Sequence, residues 1–393
     1  MQSAPSRNAV KWITGAIFLM LVACSLGSNI IGVTMNPLIG EFSLTGASQG
    51  LMNSMINLGS TLPLLVIPFL QGRIHKMWLI ILGSALQALM LLLTGLSGNF
   101  TVLLIACALL GAGNNFTDSC CNSYIVDLHP TDNSKYLNLL HGFFGVGGLI
   151  TPLLITWILN RSGWRASYSV AAVICALIIA AFAAIVIRQR KNVTGASESS
   201  EKPITGEMFR GYITNRRNLM LMAGTIFYAA SQLGLINWIV RYMSVRFDAA
   251  DLGSIGMSAY WICATICRMF CSRLPFKPHK MLVAGAIGAG VFHAIGVLSG
   301  SAVFMIICSG LVGLLSGLCI PVLVSEAAIG NEDRTALSTS SLFLLMGLSR
   351  MLMPLLMGAV AANSIVVCML LPAGAALISA LFCALANRDR PAK

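Results

Sequence analysis

Charge is what this sequence has least of. Only 10% of its 393 residues are Asp, Glu, Lys or Arg, and acids are the scarcer sign, 13 against 25 bases. So few charges exclude a soluble globular domain, in which about a quarter of residues are charged. Cysteine outside apolar runs is also missing. All 12 cysteines lie inside long hydrophobic stretches, which excludes a disulfide framework in external loops. Cys263, Cys267 and Cys271 form a stripe at i, i+4 and i+8 that reads as helix packing rather than a soft-metal ladder. There is no nucleophile constellation, metal-ligand spacing or nucleotide motif. The run GFFGVGG at 142–148 lacks the Lys-Ser/Thr of a phosphate loop. An enzyme is not expected, nor is a metal or cofactor.

What is present is apolar length. The chain is 57% hydrophobic with a mean hydropathy of +0.83, and stretches long enough to cross a bilayer, about 20 residues each, recur throughout. Twelve are read: 12–36, 48–71, 76–96, 101–127, 134–160, 165–188, 217–243, 250–273, 279–299, 302–328, 334–361 and 364–386. This predicts an all-α membrane protein with twelve transmembrane helices. The first stretch is too long for a signal-peptide core and has no clear cleavage site, so it is expected to be retained. With twelve crossings, nineteen of the 25 bases fall on one side and four on the other, Arg161, Arg165, Arg241 and Arg246. Both termini and the central loop are therefore expected in the cytoplasm, with the chain in the cytoplasmic (inner) membrane. The net charge of +12 is a topology signal and implies no nucleic-acid partner.

The chain repeats itself. His75-Lys76-Met77 opens the third stretch and His279-Lys280-Met281 the ninth. Leu96-Ser97-Gly98 closes one and Leu298-Ser299-Gly300 the other. Gly145 matches Gly347, and Pro152-Leu153-Leu154 matches Pro354-Leu355-Leu356. Two pseudo-symmetric six-helix bundles follow, 1–189 and 217–393, joined by a polar cytoplasmic linker at 190–216. Repeats of this kind point to a transporter with its site between the halves near mid-membrane.

Charged residues deep in a span mark function, since each costs several kcal/mol unless paired, hydrated or neutralised. Asp118 is the one acid well inside a span. Its helix ends near Asp127 and the next begins near Ser134, so Asp118 and His141 both lie roughly 10–13 Å inside the same face. An Asp118–His141 or Asp118–Asn138 contact is permitted, and a static pair of Asp118 with His141, Arg268 or Arg350 is the structural alternative. Asp118 and His141 are taken as proton-coupling candidates. Arg350 stands where the first half has Gly148 and is read as a solute contact. Arg268 and Glu326 are read as gating or helix-end residues. Polar and aromatic candidates for lining a solute cavity are Asn29, Asn53, Asn57, Asn114, Asn115, Asn122, Tyr124, Asn138, Gln232, Asn237, Trp238, Tyr260 and Trp261. Amides both donate and accept, and rings stack on sugars, so the set suits a polyhydroxylated solute.

Asp118 with Asn122-Ser123-Tyr124, and Leu137-Asn138-Leu139-Leu140-His141-Gly142-Phe143-Phe144-Gly145, resemble the major facilitator superfamily. Within it they resemble the fucose-permease-like sugar:proton symporters. Trp238–Tyr242, Arg268–Arg273 and Ser349–Gly358 fit more loosely. The resemblance implies alternating access and a proton-coupling role for Asp118. Three departures bear on coupling: Val33 or a neighbour stands at a second acid's place, Gln232 replaces a frequent Glu, and the loop Gln71-Gly72-Arg73-Ile74-His75-Lys76 has no acid. The expectation is a monomeric carrier of a small polar solute, most simply a sugar, working in membrane lipid with the proton as coupling ion. The alternatives are an organic-anion carrier using Arg350 and Arg268, a drug exporter, or a sensor that does not transport.

Overall fold

The computed structural model describes residues 7–71, 74–129, 133–189, 206–270, 275–331 and 335–390. Among these residues the structure is helical, without strands, and each expected span is represented by helix; 271–273 of the eighth, 334 of the eleventh and 190–205 of the expected linker lie outside the described residues. They form α1 (Arg7–Phe42), α2 (Gly46–Gln71), α3 (Lys76–Leu96), α4 (Phe100–Leu128) and α5 (Asn133–Gln189), then a short α6 (Gly206–Thr214). The remainder are α7 (Arg216–Phe247), α8 (Ala250–Phe270), α9 (Pro278–Leu298), α10 (Ala302–Ser316), α11 (Cys319–Ala328), α12 (Thr335–Ala361) and α13 (Ile365–Arg388). Nine described helical segments are long and apolar enough to cross a membrane.

Two elements differ from one helix per span. As a single rod the 57 residues of α5 would extend roughly 85 Å, against a hydrocarbon core of about 30 Å. Gly163 breaks it at φ 80°, ψ 175°, a conformation open only to glycine, and the fifth and sixth spans result. The tenth span is divided as well. Pro321 has no N–H to return to Gly317 four residues back, and its ring crowds that carbonyl; α10 ends at Ser316 and α11 starts at Cys319, whereas α1, α5, α12 and α13 continue through Pro37, Pro152, Pro354 and Pro372. The matching α4 has Ser119 at the corresponding place and runs unbroken.

The contacts divide the chain into two units, residues 1–44 with 55–199, and residues 45–54 with 200–393. In the first, α1 packs on α5 and α4, and α3 on α4 and α5. Its core joins Ile17, Leu21 and Cys24 of α1 to Leu79 and Ile80 of α3, Cys121 and Ile125 of α4, and Leu140 and Phe182 of α5. In the second, α7 packs on α13, α12 and α8, while α9 packs on α10 and α13. Leu221, Leu282, Leu318, Leu323, Leu342 and Cys383 form its core. The opening turns of α2 belong to the second unit, where a Cβ on Gly46 would stand 2.6 Å from the Gly358 carbonyl oxygen. There, too, Ser54 Oγ donates to the Met351 carbonyl at 2.6 Å.

Small residues explain the close packing, because two membrane helices gain little from hiding apolar surface that lipid already solvates and approach through backbone contact instead. A Cβ on Gly111 would overlap the Ile56 carbonyl oxygen, and one on Gly313 the Tyr260 carbonyl oxygen. The outward stripe of α3, Leu82, Leu89, Leu93 and Leu96, is exposed, as a lipid-facing surface requires. The repeat extends to detail: Ser97 Oγ donates to the Thr94 carbonyl at 2.8 Å and Ser299 Oγ to the Gly296 carbonyl at 2.8 Å.

Candidate functional site

In the first unit the candidates gather on α4. Asn115, Asp118, Ser119 and Asn122 recur at helical spacing and are all half-buried, forming one polar face of the helix. Asn122 Nδ2 donates to Asp118 Oδ1 at 2.9 Å and to the Asp118 carbonyl at 2.8 Å. Ser119 Oγ donates to Asn115 Oδ1 at 3.2 Å. Beside this face the helix packs inward. Asn114 donates to Ser28 Oγ of α1, and Thr117 Oγ1 lies 3.0 Å from Ser84 Oγ of α3. Asn29 is buried and donates to Ser25 at its carbonyl, 2.8 Å, and hydroxyl, 3.2 Å. Asn57 is half-buried on α2, while Asn138 and His141 lie one turn apart on an exposed face of α5; Asn53, buried on the part of α2 that belongs to the second unit, is not among them.

The end of this unit where α1 begins carries its own polar cluster. Lys76 Nζ pairs with Asp127 at 2.6 Å, and Thr14 Oγ1 lies 2.7 Å from His129 Nε2. His129 stacks on Tyr136. Tyr124, buried, meets His75 edge-on at 5.7 Å. His75 caps α3 by accepting from the Met77 N–H at Nδ1, 3.3 Å. Burial holds this imidazole below its usual range; Asp127 opposes that and Lys76 adds to it.

In the second unit the break between α10 and α11 is the focus. Tyr228 donates from its hydroxyl to the Ser316 carbonyl at 2.9 Å. The Tyr260 hydroxyl lies 3.1 Å from Ser316 Oγ and is hydrogen-bonded to Gln232. Arg268 Nε donates to the Gly317 carbonyl at 3.3 Å, the oxygen that Pro321 leaves without a helical partner. Arg268 and Arg350 both lie close enough to the Tyr228 hydroxyl to act on it electrostatically. Trp261 packs edge-on against Tyr260 at 5.6 Å. Asn237 is buried, and Trp238 is fully buried with an indole N–H that finds no partner among the described residues. Glu326 lies apart from this group, at the far end of α11, clamped by Arg217 at 2.9 Å and Arg390 at 3.0 Å.

Reasoning from sequence passed over Tyr228, Ser316, Gln87, Arg217 and Arg390. Gln87 is buried on α3 and donates to the Ala23 carbonyl at 2.7 Å. Pro321, four residues past Gly317, was an available sign of the break. Arg217 and Arg390 counted only toward sidedness, and nothing local distinguishes a buried arginine from a surface one. Among the described residues no group of three or more His, Cys, Asp or Glu could hold a metal, and eleven free cysteines are present; Cys271 lies outside the described residues.

The sequence profile of the Major Facilitator Superfamily matches residues 17–324. The chain belongs to that superfamily, and its twelve spans in two repeated sets are the superfamily's architecture. A relative in Bacillus subtilis (strain 168), an uncharacterized MFS-type transporter named YfkL, is 21% identical over 263 residues. That match covers 66% of this chain and 64% of the relative's own length. Among solved structures, a bacterial homologue of the human lysosomal transporter Spinster, inward-facing and occupied, superposes with a TM-score of 0.77 at 17% identity. It covers 98% of this chain and 99% of its own. The E. coli fucose:proton symporter FucP superposes with a TM-score of 0.66 at 18% identity, over 96% and 98%. The chain thus belongs to a superfamily of multi-pass membrane transporters, which is not an enzyme family.

Proposed function

We propose that the chain moves a small polar solute, a sugar or sugar-like molecule, across the cytoplasmic membrane by alternating access, driven by protons through Asp118. The observation that carries this reading is the half-buried polar face of α4, on which Asp118 is hydrogen-bonded to Asn122. A carboxylate and several amides on one membrane helix would be costly against lipid, so this face belongs to a wet, solute-accessible surface. Protonation of Asp118 makes that surface neutral and favours loading; loss of the proton on the other side resets the cycle. The linkage shifts conformers only by the difference in free energy that the proton makes between them.

Asp118→Asn is expected to abolish uphill accumulation in proteoliposomes while sparing counterflow exchange, with the solute chosen by a thermal-shift screen of sugars, sugar acids and amino acids. Undiminished accumulation would reject the coupling role. A second reading, an organic-anion carrier, is favoured by the placement of Arg268 and Arg350 about Tyr228, since guanidinium groups suit a carboxylate. Stronger competition by sugar acids than by neutral sugars in the same assay would select it.

A further inference from the structure

The two copies of His-Lys-Met meet different surroundings. In the first unit Lys76 is engaged by Asp127 at 2.6 Å, and its side chain is only 16% exposed. In the second unit Lys280 is exposed and enters no ion pair among the described residues. Counted from the Leu-Ser-Gly repeats, the place of Asp127 is taken by Ile329. The base is repeated and its acid is not.

Lys280 stands at the head of the outward stripe of α9. Ala284, Ile287, Val291, Ile295 and Leu298 follow it at helical spacing, all exposed. On α13, which packs against α9, Ile378, Leu381 and Leu385 lead at the same spacing to Arg388, which is exposed. A Cβ on Gly290 would stand 2.8 Å from Leu377 Cγ, so the two helices touch in mid-span. Asn387 donates to the His279 carbonyl at 3.1 Å, so the end of α13 lies on the start of α9. Lys280 and Arg388 each follow one partner of that bond, and neighbouring bases therefore crown two adjacent apolar stripes. Lys277, the residue before α9, is exposed as well. The acids nearby are occupied: Asp389 lies 3.5 Å from Arg216 Nε, and Glu326 is held by Arg217 and Arg390.

We infer that the corner where α9 begins and α13 ends binds the phosphate of an anionic glycerophospholipid, with Lys280 and Arg388 on the headgroup and the two stripes along its acyl chains. Bases that only set sidedness have no need to head lipid-facing stripes. Open positive charge directly above apolar surface matches a negative headgroup with its chains attached. The site depends on neither the solute nor the coupling ion.

Native mass spectrometry of the full chain in detergent, with phosphatidylglycerol or phosphatidylcholine of matched chains added, tests it. The unaltered chain is expected to prefer phosphatidylglycerol. Lys280→Gln with Arg388→Gln is expected to weaken that binding by about 30-fold, roughly fivefold for each base. Phosphatidylcholine binding is expected to stay unchanged. Lys280→Arg with Arg388→Lys keeps both charges and is expected to bind like the unaltered chain, as is Asp118→Asn. Lys11→Gln with Lys135→Gln removes two exposed bases of the first unit and is expected to leave the preference intact. Should the double glutamine variant fail to fold, Lys280→Gln alone carries the test through its fivefold loss. Displacement of the lipid by inorganic phosphate at equal concentration would assign the corner to free phosphate and overturn the lipid reading. Undiminished binding without the two bases, or an equal loss from the first-unit pair, would overturn the inference, because the charges would then serve sidedness alone.

Discussion

At the scale of single residues, the ends of the helices carry the most readable chemistry. His75 caps α3 only as a neutral imidazole, because Nδ1 must accept from the Met77 N–H. Its folded pKa lies below the unfolded value of about 6.5, chiefly through burial. The folded state therefore binds fewer protons than the unfolded one in mildly acid solution. Stability from this group is complete above about pH 6.5 and is lost as pH falls through the folded pKa. His75→Asn keeps a capping acceptor and removes the titration. It is expected to flatten the fall in Tm between pH 7 and 5, an effect of up to about 1 kcal/mol; an unaltered pH profile would remove His75 as its source. Asp118 belongs to this scale as well, since its isolation among apolar residues was legible without coordinates. Its hydrogen bond from Asn122 was foreshadowed only by their spacing of four.

At the scale of elements, glycine placement decides how closely helices approach. Gly310, Gly313 and Gly317 lie on the face of α10 that meets α8, yet they differ in clearance. A Cβ on Gly313 would overlap the Tyr260 carbonyl oxygen and stand 2.9 Å from its Cα, whereas one on Gly310 would sit 3.4 Å from Cys263 Sγ. Gly313→Ala is therefore expected to force α8 and α10 apart and cost about 1–3 kcal/mol, and Gly310→Ala to be tolerated. Thermal unfolding of both variants in one detergent checks this, and equal Tm values would contradict the packing described. Spans were readable at this scale because an apolar run of fixed length has one stable state in a bilayer. The division of the tenth span was not read although Pro321 marks it, because Pro37, Pro152, Pro354 and Pro372 lie inside helices that continue through them, so a proline does not by itself end a span.

At the scale of the whole molecule, the distribution of bases sets the expected orientation. A green fluorescent protein fused after residue 393 is expected to fluoresce in cells, as folding in the cytoplasm allows. A dark fusion that becomes bright when the chain is shortened by one span would reverse the assignment. The duplication is expressed in three dimensions by matched packing, with α3 against α4 as α9 is against α10. The halves are not chemically equal, however. The first carries an acid on a polar helix face, and the second carries two arginines about a broken helix.

Length, hydropathy and repeated phrases such as His-Lys-Met were enough to read twelve spans in two sets, because burial in lipid imposes the same rule on every residue of a span; the superfamily was legible only as a resemblance of the stretches around Asp118 and His141. They also isolated Asp118, Arg268 and Arg350, since a charge in an apolar run is conspicuous in one dimension. Only the tertiary structure decided which side chains meet: Tyr228 with Ser316, Arg217 and Arg390 with Glu326, Asn114 with Ser28. Those pairings join residues between 86 and 109 positions apart, or 64 for Arg390. Such pairings are set by how helices pack against one another, which no local pattern of residues records.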